Sequence, residues 1–299
     1  MRLEEDRNPD QGGGIEAVLC KIPSFRPVVV KLLRVVNDPK SSLSEVSALL
    51  NSDPALSAEV LTVANSAAYG AAHRITTTAR ALAMLGTERT KAVATRAAMY
   101  GMLRGIGNTV AVRNCWVHSR AVSVIAEWLS PSYRIHPHKG YTIGLLHDIG
   151  RLGLLALDPN GYSTLLDTVT GTNEYALELE RKVFRVDHCE AGAWLTKSWG
   201  LTEEFQIAAS LHHTHGLETM KDSCKLVSLA CALAQSFGYR AAPLVEGQAS
   251  ESILLGLPEI ARSTAQISIL SDQLEREVGR RPSPTESKDC GFVGKSDAA

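Results

Sequence analysis

His147 and Asp148 close the apolar run Tyr141–Leu146 and offer a divalent metal an imidazole nitrogen and a carboxylate oxygen from adjacent positions. Further histidines stand at 118, 188, 212 and 213, so the candidate ligand set is His118, His147, Asp148, His188, His212 and His213. Asp148 falls between Leu146 and Ile149, a placement that predicts partial burial and therefore a partner for its charge. Without a metal, that partner is a charged histidine or Arg151, and the cluster is a polar network that fixes helix packing and titrates near neutral pH. The other histidines have structural readings too. His118 reads as a hydrogen-bonded residue near a helix start, and His212 and His213 end a helix, where cations suit the dipole. His136, His138 and His215 fall in expected loops and read as solvated.

The elements that must position these residues are helical by pattern. An apolar stretch from Val28 to Val36 stops at Asn37-Asp38-Pro39. Ser41 to Leu50 forms a short helix with Val46, Leu49 and Leu50 on its apolar stripe. Asp53-Pro54 opens the next with a cap and a first-turn proline. Helices follow over 76–85, closed by Gly86, and over 87–103, closed by Gly105. Val117 to Leu129 is the next, then a loop over 131–140, then a helix over 140–157 that carries His147-Asp148. Asp187 with Glu190 three residues on reads as a capping box, Thr202 starts a helix running to His212-His213, and Ser223 to Phe237 is a further apolar helix. A last helix is expected over 260–278, with Ile267, Leu270 and Leu274 on one face. No alternating run is long enough to propose a sheet, so the fold class is all-α.

Composition narrows the function classes. A formal charge of -1 argues against a bulk electrostatic role on nucleic acid, and the 44% apolar and 21% charged residues are ordinary for a globular protein. No stretch approaches the roughly 18 apolar residues of a membrane span, and the charged N-terminus lacks a signal-peptide core. Six cysteines without CxxC spacing read as reduced thiols in a cytoplasmic protein. Asn65-Ser66, at the end of an apolar helix, reads as a pair bonded to a neighbouring loop backbone. Arg89, Arg96 and Arg104 share one helical face, which reads as solvated; if functional, it would meet an acidic partner or a nucleotide.

The segment Asp53 to Gly70, followed by Ile75 to Gly86, resembles the signature of the HDOD (HD-related output domain) family of bacterial signalling proteins. Trp116-Val-His118-Ser119, Gly144-Leu-Leu-His147-Asp148-Ile-Gly150, Asp187-His188-Cys-Glu190-Ala-Gly192, Trp199-Gly-Leu and His212-His213 agree with it in order. The resemblance covers residues 15–240. It implies an N-terminal helical lobe over 15–110 and an HD-like lobe over 111–240, enclosing a cleft. Outside it lie a flexible arm over 1–14, a helical extension over 241–279 and a disordered tail over 280–299.

In active HD enzymes, His and Asp side chains from several helices hold divalent ions that activate water against a phosphate. The resemblance therefore implies His118 as an early ligand, Asp148 as a carboxylate suited to bridge two ions, and His188 with His212 or His213 at a second ion. Where the pattern ends on an aspartate, this chain has Cys231, a neutral thiol that weakens the His118 end and leaves the Asp148, His188 and His212/His213 end intact. Arg151 stands where the related HD-GYP phosphodiesterases carry lysine, and the Gly-Tyr-Pro motif is absent, which speaks against cyclic di-GMP hydrolysis. The expected function is thus a non-catalytic regulatory protein acting through signalling protein partners or a nucleotide ligand, with one divalent ion (Fe, Mn, Zn or Ni) as the cofactor it could retain. The alternative is a metal-dependent phosphohydrolase using the residual site; a nucleic-acid-binding regulator is a weaker third.

Overall fold

The computed structural model describes residues 14–19, 27–38, 40–66, 74–169, 173–213, 221–242, 258 and 263–279. Residues 1–13 of the expected arm over 1–14, residues 243–257 and 259–262 of the expected extension over 241–279, the tail over 280–299, Cys20, Cys290 and His215 lie outside these residues. Among the described residues every element is helical and no strand is present, so the chain is all-α.

The first helices are α1 (Ile15–Leu19), α2 (Pro27–Asn37), α3 (Leu43–Asn51), α4 (Pro54–Ala64), α5 (Thr78–Leu85) and α6 (Thr87–Ile106). Their ends are chemically specified. Ser42 and Glu45 form a reciprocal capping box on α3, and Asp53 accepts from the Ala55 and Leu56 amides to start α4. Asn65 does what its position predicts: its side chain accepts from Ile75 N at 2.7 Å and donates to Ile75 O at 2.8 Å, tying the end of α4 to the segment just before α5. The 20-residue α6 packs on α2 and α4 with one face and on α8 with another, so it is the shared wall between the N-terminal helices and the site.

The site helices are α7 (Val110–Leu129), α8 (Pro137–Leu146), α9 (Ile149–Leu157), α10 (Pro159–Thr168), α11 (Asn173–Phe184), α12 (His188–Ser198), α13 (Glu203–Leu211) and α14 (Asp222–Ser236). The C-terminal α15 (Thr264–Glu277) packs back on α7 through fully buried Leu270 and Leu274.

Several boundaries differ from expectation. The segment expected as a loop over 131–140 is a 3-10 turn, Ser130–Tyr133, and three linking residues before α8, which starts early because Pro137 at its first position fixes a helical φ. The helix expected over 140–157 is two helices: Asp148, at φ -104 and ψ 23, breaks the ladder between α8 and α9. Helix α7 starts at Val110, capped by Thr109, so His118 sits in mid-helix and not near a start. Helix α6 likewise runs on to Ile106 and ends at Gly107. Helices α10 and α11 had no counterpart in the sequence reading, and α11 carries a residue that matters below.

Two glycines set how closely the site helices approach. A Cβ on Gly144 of α8 would lie 2.8 Å from the Val122 carbonyl of α7, and one on Gly150 of α9 would lie 1.8 Å from the His188 carbonyl of α12. These contacts bring the backbone carrying His147-Asp148 against the helices that carry His118 and His188.

Candidate metal centre

Asp148 occupies the break between α8 and α9 and faces three histidines from three other helices. Its Oδ1 lies 3.5 Å from His188 Nε2 and 3.5 Å from His212 Nε2, while its Oδ2 lies 3.9 Å from His118 Nε2. His147 sits between the two ends, its ring centroid 5.3 Å from that of His118 and 4.9 Å from that of His212. All five side chains are buried, none more than 3% exposed. His213 is placed differently: half-buried, its ring 4.1 Å from His212 and 5.2 Å from His188, it joins none of the donor groups formed among the described residues.

Each of the four clustered histidines has its Nδ1 committed outside the cluster. His118 Nδ1 bonds Tyr239 O at 2.8 Å, His147 Nδ1 bonds Gly144 O at 2.7 Å, and His212 Nδ1 bonds Ala209 O at 3.0 Å. His188 Nδ1 bonds Glu180 Oε2 at 2.6 Å. A carbonyl or carboxylate can only accept, so every Nδ1 carries a proton and every neutral ring presents its Nε2 lone pair inward. Four buried atoms at the centre, His147 Nε2, Asp148 Oδ1, His188 Nε2 and His212 Nε2, have no hydrogen-bond partner. Buried polar atoms are normally satisfied. Fixing one ring nitrogen so that the other points at an ion is how metal-ligating histidines are held. The donor set fits a divalent metal. Around a tetrahedral ion with bonds of about 2.0–2.2 Å, neighbouring donors stand about 3.3–3.6 Å apart, the spacing of Asp148 Oδ1 from both His188 and His212.

Asp148 is also held from its other side. Arg151 Nε donates to Asp148 Oδ2 at 2.8 Å, and the same guanidinium reaches Glu180 Oε1 and the Tyr162 hydroxyl, both at 3.1 Å. Tyr162 donates to Glu180 Oε1 at 2.6 Å, and Glu180 Oε2 also accepts from the His188 backbone amide at 2.8 Å. Glu180, on α11, is fully buried and is the residue that sequence reasoning missed. The signal was available only as a glutamate in a helix, since its partners lie eight or more residues away. Cys189 was missed as well: its sulfur lies 3.9 Å from His212 Nδ1.

The electrostatics follow from this wiring. Burial alone would raise the Asp148 carboxyl, but Arg151 and His188 hold it well below the usual carboxylate range. Burial would likewise raise Glu180, and His188 with Arg151 bring it down to about 2. Burial drives the imidazoliums of His118 and His147 down, so both rings are neutral. His188 and His212 go the other way in the metal-free site. Burial disfavours their charge, yet Glu180, Cys189 and Asp148 lift His188 to about 10, and Cys189 and Asp148 lift His212 to about 9. The cluster therefore holds protons where an ion would sit.

Away from the cluster, Arg89 and Arg96 line a cavity of about 150 Å³ with Glu127, His138 and Tyr141, while Arg104 is exposed. His138, expected in a loop and solvated, instead lies in α8, half-buried and bonded to Glu127 Oε1 at 2.7 Å, because the helix begins at Pro137. No helix among the described residues is long and apolar enough to cross a membrane.

The family model of the HDOD domain matches residues 22–215. Among solved structures, a Marinobacter aquaeolei VT8 protein whose name proposes a role in signal transduction is 18% identical, with a TM-score of 0.65 over 90% of this chain and 61% of that one. A Shewanella amazonensis SB2B protein whose name proposes metal-dependent phosphohydrolase activity is 21% identical, with a TM-score of 0.58 over 86% of this chain and 92% of that one. At these identities the two share the fold. A Treponema pallidum (strain Nichols) protein with no characterised role is 23% identical over 213 residues, 70% of this chain, and the match spans only 41% of that relative's length.

Proposed function

As the chain belongs to the HDOD family, we propose that it is a regulatory signal-transduction protein whose buried histidine cluster holds a divalent metal ion and whose output is the binding of a partner. The ion is held by Asp148, His188 and His212, with His147 facing the same interior. The observation that carries the metal is the set of buried inward atoms without a hydrogen bond, His147 Nε2, Asp148 Oδ1, His188 Nε2 and His212 Nε2, facing one another on rings whose other nitrogens are pinned.

The regulatory reading is supported by how the two oxygens of Asp148 are divided. A two-metal phosphohydrolase needs its bridging carboxylate free on both sides. Here Oδ2 is bonded to Arg151, a fixed cation, and only Oδ1 is open. The ligands are also 3% exposed or less, which suits an ion that stabilises one packing of α8, α9, α12 and α13 better than one that must meet a phosphodiester. Metal occupancy would then bias that packing, and a partner would read it.

The second reading, a metal-dependent phosphohydrolase, is favoured by the intact Asp148, His188 and His212 geometry. Turnover of a generic phosphodiester such as bis-p-nitrophenyl phosphate by the metal-loaded protein separates the two. The regulatory reading expects none, and metal-dependent turnover that disappears in Asp148→Ala would replace it with the enzymatic one.

A further inference from the structure

The histidine cluster has a second end, and its chemistry differs from the first. On α14, Cys231 is buried with its sulfur 3.5 Å from His118 Nε2, and His118, His147 and Cys231 bring their ligand atoms within 4.8 Å of one another. The 3.5 Å between His118 Nε2 and the Cys231 sulfur matches neighbouring corners of a tetrahedral zinc site, where bonds of about 2.0–2.3 Å put nitrogen and sulfur about 3.5 Å apart, and His147 supplies a second nitrogen within reach. His147 Nε2 is buried without a partner and points into this end as well as towards His212. A further contact concerns the sulfur itself. The Gln235 side-chain amide, one turn on along α14, donates to Cys231 Sγ at 3.6 Å. Burial pushes the Cys231 thiol up, so the thiolate exists only with an ion to hold it, and the Gln235 donor then supports that thiolate as partners around thiolate ligands do.

We propose that this end is a thiophilic metal position, taking zinc or a similarly soft divalent ion through Cys231 thiolate, His118 and His147. The proposal rests on the reading of the cluster as a metal centre and adds the class of ion. Without metal, the Cys231 thiol donates to His118 Nε2. On binding, the ion replaces that proton, which leaves to solvent, and the sulfur–metal bond forms with no change of oxidation state. A carboxylate at position 231 would favour harder ions such as manganese or magnesium; a thiolate shifts preference to zinc, cobalt and their like. Cys189 is the useful contrast: it forms a donor group at the other end of the cluster, with His188 and His212, and its sulfur faces a His212 Nδ1 whose proton is given to Ala209 O.

The test is cobalt substitution in the full chain, stripped with chelator and reloaded with Co²⁺, read by absorption. Sulfur ligation gives a near-ultraviolet thiolate-to-cobalt charge-transfer band. The proposal expects that band in the wild type and in Cys189→Ser, and its loss in Cys231→Ser. Cys231→Asp should bind Co²⁺ without the band, which keeps the test decisive if the serine variant folds poorly. Co²⁺ bound to the wild type without the band would overturn the thiolate assignment while leaving the ion at Asp148, His188 and His212. A band that survives in Cys231→Ser would overturn it too. No Co²⁺ bound at all would overturn both this inference and the metal centre on which it rests.

Discussion

Arg151 donates its Nε proton to Asp148 Oδ2 at 2.8 Å, one turn along from the break between α8 and α9, and both side chains are almost wholly buried. This contact divides the carboxylate into a side bound to a fixed cation, Oδ2, and a side open to the His188 and His212 imidazoles, Oδ1. It also links the centre to Glu180 and Tyr162, so the cluster and its supporting network form one charged unit inside an apolar bundle.

Breaking that unit at the arginine leaves two buried carboxylates without their shared cation. Arg151→Met should destabilise the fold by about 3–5 kcal/mol, the usual penalty for removing one partner of a buried pair. Denaturant unfolding followed by circular dichroism measures this. A change below about 1 kcal/mol would mean that water or another group replaces the guanidinium.

Glu180 orients His188 through the ring Nδ1 and the backbone amide together. Glu180→Gln should lower metal affinity by about 10–100-fold, the range for partners of ligating histidines, with secondary structure retained. Competition against a chromophoric chelator gives the affinity, and an unchanged value would remove Glu180 from the account.

The metal-free protein should have a bounded pH range of stability. Glu180 is depressed from 4.5 to about 2, so its contribution is present above 4.5 and is lost as pH falls through 2. His188 is raised from 6.5 to about 10, so its contribution is complete below 6.5 and is lost as pH rises towards 10. The combined contribution of these two groups is therefore greatest between about 4.5 and 6.5, while His118 and His147, which burial drives down, subtract from stability below 6.5, where the unfolded rings take up protons. Added metal should oppose the alkaline loss, because ligating histidines are neutral and binding releases their protons. Thermal melts across pH, with and without Zn²⁺, test both limbs; alkaline stability that is flat without metal would contradict the wiring of His188.

Gly150 lets α9 and α12 meet backbone to backbone. Gly150→Ala places a Cβ 1.8 Å from the His188 carbonyl, so the helices must part. The variant should lose about 1–3 kcal/mol or more and bind metal more weakly, since His188 moves away from Asp148. Wild-type stability and metal affinity in this variant would show that the contact is not needed.

The sequence carried the helical class and the buried His147-Asp148 pair because both leave local marks. Apolar periodicity with caps such as Asp53 and Asp187 marks helices, and His147-Asp148 next to an apolar run marks a buried polar pair. Cys231, expected at the His118 end of the cluster, does lie 3.5 Å from His118. Illegible were features set by tertiary packing. The break at Asp148 interrupts an apolar pattern that would suit one continuous helix, and Pro137 looks like loop punctuation until it is seen at a first helical turn. Glu180 looked like any helix glutamate, since its meaning depends on His188, Arg151 and Tyr162 meeting it from other elements. His213 seemed equivalent to His212, but one residue turns the side chain about 100° around a helix, and only His212 points its Nε2 at Asp148.

The most direct test of the central claim is elemental metal analysis of untagged protein purified without chelator, wild type beside Asp148→Ala. The account predicts divalent metal bound at near one equivalent or more in the wild type and a clear loss in the variant. Equal metal in both proteins, or none in the wild type even after loading with Zn²⁺ or Mn²⁺, would contradict it and leave the cluster as a proton-holding packing network.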